Sequence, residues 1–171
     1  MISGSVREGS VNSAVIATAA SLLAPPARAV IHRGIGDLPH FNPDLDFDPL
    51  PPAVIDLRAA IGHADALLFS TPEYAGAMPG ALKNLLEWTV GGAETTAKPA
   101  GWINPSTSPA KAEGTYASLG TVLEYTDVRL VPDACREIPV PRSLIRDGSI
   151  EDDSVRREIA RVLAALADSA R

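Results

Sequence analysis

The chain has one cysteine, no excess of basic residues and no apolar run of membrane-spanning length. Each lack removes a class of function. A single Cys135 forms no disulfide within the chain and fits a reducing cytosol. It also lies in a strand-like stretch with no histidine nearby, which argues against an activated thiol. A net charge of -6 argues against a nucleic-acid partner, which calls for a basic face. No transmembrane segment is expected, and no basic n-region precedes an apolar h-region, so no membrane partner is expected and a cytoplasmic location is. His32, His40 and His63 share no spacing useful for a catalytic triad. Asp44, Asp46 and Asp48 alternate like a calcium loop but lack its central glycine and terminal glutamate, so they read as a solvated loop and no metal site is expected.

What is present is a core-forming chain. At 171 residues and 46% hydrophobic content, residues 1–171 read as one domain. Ala66-Leu67-Leu68-Phe69-Ser70 is a continuous apolar run, the pattern of a parallel strand covered on both faces. Ala29-Val30-Ile31-His32, Ala100 to Asn104 and Arg129 to Val140 read as further strands. Helices are expected over Ser13–Ala24, Ala53–His63, Pro79–Val90, Ala112–Tyr125 and Asp152–Arg171, the last capped by Ser149 or Asp153. The proline-rich stretch from Gly34 to Pro52 reads as an ordered loop. Strand and helix alternate about five times, which predicts an α/β fold with a parallel sheet and helices on both faces. The first strand is short, with only Met1-Ile2-Ser3 before Gly4, and the expectation is that residues of a longer central strand are missing upstream.

Three polar loops, 4–12, 71–79 and 104–109, fall at carboxyl ends of predicted strands, where open α/β sheets bind ligands. Gly4-Ser5-Val6-Arg7-Glu8-Gly9-Ser10-Val11-Asn12 is neither a dinucleotide fingerprint nor a Walker loop. It still gathers the hydroxyls of Ser5 and Ser10, the Asn12 amide and the Arg7 guanidinium at a helix N-terminus, a natural anion site. Thr71-Pro72-Glu73-Tyr74-Ala75-Gly76-Ala77-Met78-Pro79-Gly80 is a Pro/Gly-rich turn that lets backbone approach a flat ligand. A phosphate in one loop and a planar ring in another is the reading these features suggest.

The first loop resembles the G-S-x-R-x-x-S-x-N signature of the NADPH-dependent FMN reductase family. Pro72-Glu73-Tyr74, then Pro79-Gly80-Ala81-Leu82-Lys83-Asn84 and Trp88, resemble the second signature, P-E-Y-N…P-G-x-L-K-N…D-W. The resemblance implies a flavodoxin-like three-layer sandwich with a five-stranded parallel sheet in the order 2-1-3-4-5. It implies FMN as cofactor, with electrons passing from NADPH or NADH to a quinone, azo or nitro compound, metal oxyanion or free flavin. Carried over by position, Ser5, Arg7, Ser10, Val11 and Asn12 hold the FMN phosphate. Pro72, Glu73, Tyr74 and Ala75 line the ring, and Ser106 and Ser108 stand in the third loop. The cofactor carries the chemistry, so no catalytic side chain is implied.

Three departures stand out. Ala75 replaces the usual Asn, Glu87 replaces Asp before Trp88, and Ser106–Gly114 lacks the usual Gly-Gly pair. Two other readings stay open: an FMN carrier or sensor with little turnover, and a non-flavin protein of the same fold that binds another phosphate ligand. No basic cluster in the sequence marks a 2′-phosphate site. The resemblance also implies a homodimer or homotetramer, and Leu82, Leu85, Leu86 and Trp88 form a helix face suited to a second subunit.

Overall fold

The computed structural model describes residues 1–108 and 112–171, so Pro109, Ala110 and Lys111 of the third loop lie outside the described residues. The main sheet is parallel and runs β1 (Ile2–Ser3), β2 (Leu67–Ser70), β3 (Pro99–Asn104), β4 (Arg129–Glu137) in that order. The helices are α1 (Val11–Leu22), α2 (Pro52–Gly62), α3 (Gly80–Glu87), α4 (Glu113–Tyr125) and α5 (Asp153–Ser169). A small antiparallel hairpin, β5 (Ile145–Arg146) with β6 (Ser149–Ile150), precedes α5.

Alternation along β2 divides the core into two. Leu67 and Phe69 face α2, α3 and α4, packing with Leu57, Leu82, Leu85 and Leu119. Leu68 faces the other way, among Val15 and Ala19 of α1 and Ile159 and Val162 of α5. A strand buried on both faces has to be apolar at every position, which is why residues 66–70 form an unbroken run. Burying Phe69 alone, with none of its surface left in water, contributes roughly 2–3 kcal/mol.

Among the described residues the expected five parallel strands are four. The segment predicted as the second strand makes only an isolated parallel bridge, Ile2 to His32, on the outer side of β1. β1 offers two residues for pairing, and Val30 is left exposed. The outer position of that bridge keeps the predicted spatial order while the strand itself is lost. The hairpin β5–β6 was not anticipated, although its Asp147-Gly148 turn, with φ of 47° and 78°, carries the usual sequence signal for one. At α5 the cap is Asp152, whose carboxylate accepts from Ser154 N (2.9 Å) and Val155 N (3.0 Å), rather than Ser149 or Asp153. Asp152 has the extended backbone that aims its side chain at the first turn, whereas Ser149 lies in β6 and Asp153 is already helical.

Two further readings change. Leu82, Leu85, Leu86 and Trp88 are buried inside the chain, not presented to a second subunit. The apolar face of α3 is needed to cover the sheet, and Trp88 is held there by an Nε1 hydrogen bond to the Pro39 carbonyl (2.8 Å). Asn84 joins it, donating to the same carbonyl (2.9 Å) and accepting from Phe41 N (2.7 Å). Asp46 is not solvated: it pairs with Arg58 at 2.6 Å, the two side chains 10% and 11% exposed. Arg58 also donates to the Trp88 carbonyl at 2.8 Å, tying the 34–51 stretch to α2 and α3. Among the described residues no helix is long and apolar enough to cross a membrane, and no three-residue group of His, Cys, Asp or Glu is placed to hold a metal.

Candidate cofactor site

The first loop leaves β1 at a point where two strands nearly touch. Gly4 N donates to the Ser70 carbonyl at 2.8 Å. A Cβ on Gly4 would lie 2.1 Å from Thr71 Oγ1 and 2.9 Å from Leu82 Cδ2, so only glycine fits. Ser10 caps α1, its Oγ accepting from Ser13 N at 3.0 Å. Its hydroxyl also meets that of Ser13 (2.8 Å), which meets that of Ser3 (3.0 Å), giving a short hydroxyl relay beneath the loop. Ser5 is buried, and its Oγ accepts from Arg7 N at 3.3 Å. Val11 opens the helix and is half-buried. Asn12 is buried with its Oδ1 accepting from Ser70 Oγ at 2.9 Å, so its carbonyl is committed to the end of β2.

Arg7 is the exception in this loop. It is exposed and makes no ion pair among the described residues. The first turn of α1 holds no acidic residue, so the positive end of the helix dipole is uncompensated from within the helix. A cavity of about 330 Å³ opens beside the loop, lined by Ser3, Ser5, Arg7, Ser13, His32 and Arg33, with Glu8 and Asp37 also at its wall. His32 Nε2 is buried without a partner among the described residues, and burial holds the imidazole below its ordinary pKa. Sequence reasoning missed His32 and Arg33 because only the bridge to Ile2 brings them to the loop. It also missed Arg142, whose Nη2 donates to the Gly9 carbonyl at 3.1 Å from 133 residues away.

The second and third loops are built differently. Tyr74 and Ala77 exchange backbone hydrogen bonds (3.0 and 3.2 Å) around Ala75 and Gly76, whose φ values are 53° and 78°. Positive φ at both central residues is the pattern of a type I′ turn, which favours Asn-Gly. That gives a physical reason for the Asn in the resembled signature, and Ala75 adopts the same conformation at a steric cost. Tyr74 and Ala75 are exposed, Pro72 and Glu73 half-buried. Glu73 reaches across to the third loop, its Oε2 accepting from Ala112 N at 2.8 Å, at the start of α4, where the N-cap residue Ala112 has no side-chain cap among the described residues. Gly114 sits under this turn, and a Cβ there would come 2.4 Å from the Gly76 carbonyl.

Tyr116 locks the two strand ends together. Its hydroxyl donates to the Ile103 carbonyl (2.8 Å) and accepts from Thr71 N (3.3 Å), and burial raises its pKa well above the usual phenol range. In the third loop Ser106 N donates to Asn104 Oδ1 at 3.0 Å, and the Ser106 hydroxyl donates to the Ser108 carbonyl at 3.2 Å. A second cavity of about 450 Å³ lies on the far side of this loop, lined by Trp102, Asn104, Tyr116, Gly120, Cys135 and Glu137 among others. Burial pushes the Cys135 thiol up, the direction of an inert cysteine. Neither of these two cavities is lined by residues 71–79.

The chemistry these groups allow is recognition. An uncommitted guanidinium at a helix N-terminus binds an anion, and a rigid, exposed backbone turn presents N–H groups to a flat ligand. No nucleophile paired with a base stands among the described residues of the three loops.

Known proteins resemble this chain over nearly all its length. An NAD(P)H-dependent FMN reductase of Pseudomonas aeruginosa is 35% identical over 170 residues, covering 96% of this chain and 90% of that protein. An NADPH:quinone oxidoreductase of Arabidopsis thaliana is 26% identical over 171 residues, covering 96% and 87%. The solved structure of FerB, a flavoenzyme NAD(P)H:(acceptor) oxidoreductase from Paracoccus denitrificans, aligns with a TM-score of 0.75 at 29% identity, over 97% of this chain and 93% of that one. That likeness supports the flavodoxin-like α/β fold. Residues 1–135 match the family described as NADPH-dependent FMN reductase. The chain belongs to the NADPH-dependent FMN reductase family, and is with it an oxidoreductase that takes electrons from NAD(P)H through FMN.

Proposed function

We propose that the chain reduces a small quinone-type acceptor with electrons from NADPH or NADH, and that its first loop holds the FMN phosphate. Arg7, unpaired among the described residues and beside a helix whose first turn holds no acidic residue, carries this reading. Arg7 would pair with the phosphate, Ser5 and Ser10 would add hydroxyls, and the N-terminal backbone from Val11 and Asn12 would complete the cradle. The orphaned His32 Nε2 in the adjoining cavity fits a polar ligand. The ring would rest on Pro72, Glu73, Tyr74 and Ala75, with Ser106 and Ser108 toward its pyrimidine side. The N–H groups of Ala75 and Gly76 have no partner among the described residues and are available to it. FMN, when bound, accepts hydride from nicotinamide and delivers electrons to the acceptor. The quinone is taken from the name of the Arabidopsis relative.

Residues 1–171 would act as one domain in the cytoplasm, as a homodimer or homotetramer. Exposed Phe47, Ile55 and Val90, on the segments that Arg58 joins through Asp46 and the Trp88 carbonyl, offer apolar surface for such an assembly. The activity is tested by adding FMN, desalting and recording the absorbance spectrum, then mixing with NADPH or NADH in stopped flow. Retained flavin bands that bleach with nicotinamide and return with a benzoquinone support the reading. Loss of all flavin, with no NADPH oxidation in excess FMN, would overturn it.

A further inference from the structure

The stretch after β4 spans two of the three loops. Ile138 N donates to the Asn104 carbonyl (2.9 Å) and Val140 N to the Pro105 carbonyl (3.0 Å), so the chain runs along the third loop. It then turns at Pro141, and Arg142 reaches the Gly9 carbonyl of the first loop at 3.1 Å. We propose that Arg142 is a positioning residue for phosphate recognition, which rests on the reading that the first loop holds the FMN phosphate.

Three observations carry it. Gly9 sits at φ 60° and a Cβ there would meet nothing within 4 Å, so no packing on that side of the loop holds its course where Arg142 bonds it. A carbonyl oxygen in an anion-binding loop repels the anion, and a guanidinium bound to that oxygen offsets its partial charge. Arg142 makes no ion pair among the described residues, so its full charge lies beside a loop that also carries Glu8. The family match ends at residue 135, so Arg142 reaches into the first signature from outside the matched residues.

The test compares FMN with riboflavin, which has the ring but no phosphate, by fluorescence quenching. Arg142→Ala should weaken FMN about fivefold, the scale of one hydrogen bond to a charged group, with riboflavin affinity and melting temperature unchanged. Arg142→Lys, which keeps the charge, should recover part of the loss. Unchanged FMN affinity in Arg142→Ala, or equal weakening of both ligands, overturns the proposal. Arg7→Ala separates the two levels of inference. If Arg7→Ala loses the preference for FMN and Arg142→Ala keeps it, Arg142 alone is excluded. If Arg7→Ala keeps the preference too, the phosphate reading falls and Arg142 falls with it.

Discussion

The first loop and the paired second and third loops stand at the same end of one sheet, yet their polar groups are used in opposite ways. In the first loop Arg7 points to solvent with no ionic partner among the described residues, at the end of a helix that offers positive charge. Across the sheet, Glu73 and Tyr116 are bound to backbone of neighbouring segments, and Ser106 and Asn104 to backbone of their own loop. One region keeps a charge available for a ligand. The other uses its side chains to hold a frame and leaves backbone N–H groups exposed. A residue in a ligand loop is therefore assigned by what it already bonds, not by its proximity to the site.

The largest expected effect comes where the two regions touch. Gly4→Ala drives a Cβ into Thr71 and Leu82 and should destabilise the fold by about 3 kcal/mol, read from urea denaturation. Arg7→Ala should leave stability unaltered while weakening FMN by about 2 kcal/mol, measured by calorimetric titration. Tyr116→Phe removes the hydroxyl that joins Ile103 to Thr71 and should cost about 1.5 kcal/mol of stability. Glu73→Ala should cost about 1 kcal/mol, by leaving the start of α4 without its acceptor.

The smallest effect has the opposite sign. Ala75→Asn should stabilise by up to about 1 kcal/mol, because Asn tolerates the left-handed backbone better than Ala. The Asp147-Gly148 turn, which has the same pair of positive φ values and a suitable residue at its first position, serves as the internal comparison. A lower melting temperature for Ala75→Asn would show that the turn is set by its surroundings. The same variant should change the rate or affinity of flavin reduction more than it changes stability.

Much of this was legible where local chemistry decides. The doubly buried Leu67–Phe69 run and the terminal helix follow from residue type and spacing. The misses share a different cause. Ala29–His32 has strand-like composition, but its pairing depends on how much of β1 is there to receive it. Asp46 looks like a solvated acid until the chain folds back and brings Arg58 to it. The face of α3 is apolar in either reading, and only packing shows that the sheet, not a partner, covers it. At the site, the roles of Glu73 and Arg142 come from contacts 39 and 133 residues distant, which no local pattern encodes.

The most direct measurement is the ratio of FMN to riboflavin affinity in Arg7→Ala and Glu73→Ala, side by side with the unaltered chain. The ratio should collapse in Arg7→Ala with riboflavin unaffected, and stay constant in Glu73→Ala even if both flavins bind more weakly. A ratio preserved in Arg7→Ala, or lost in Glu73→Ala, would contradict the division of phosphate and ring recognition between the two regions.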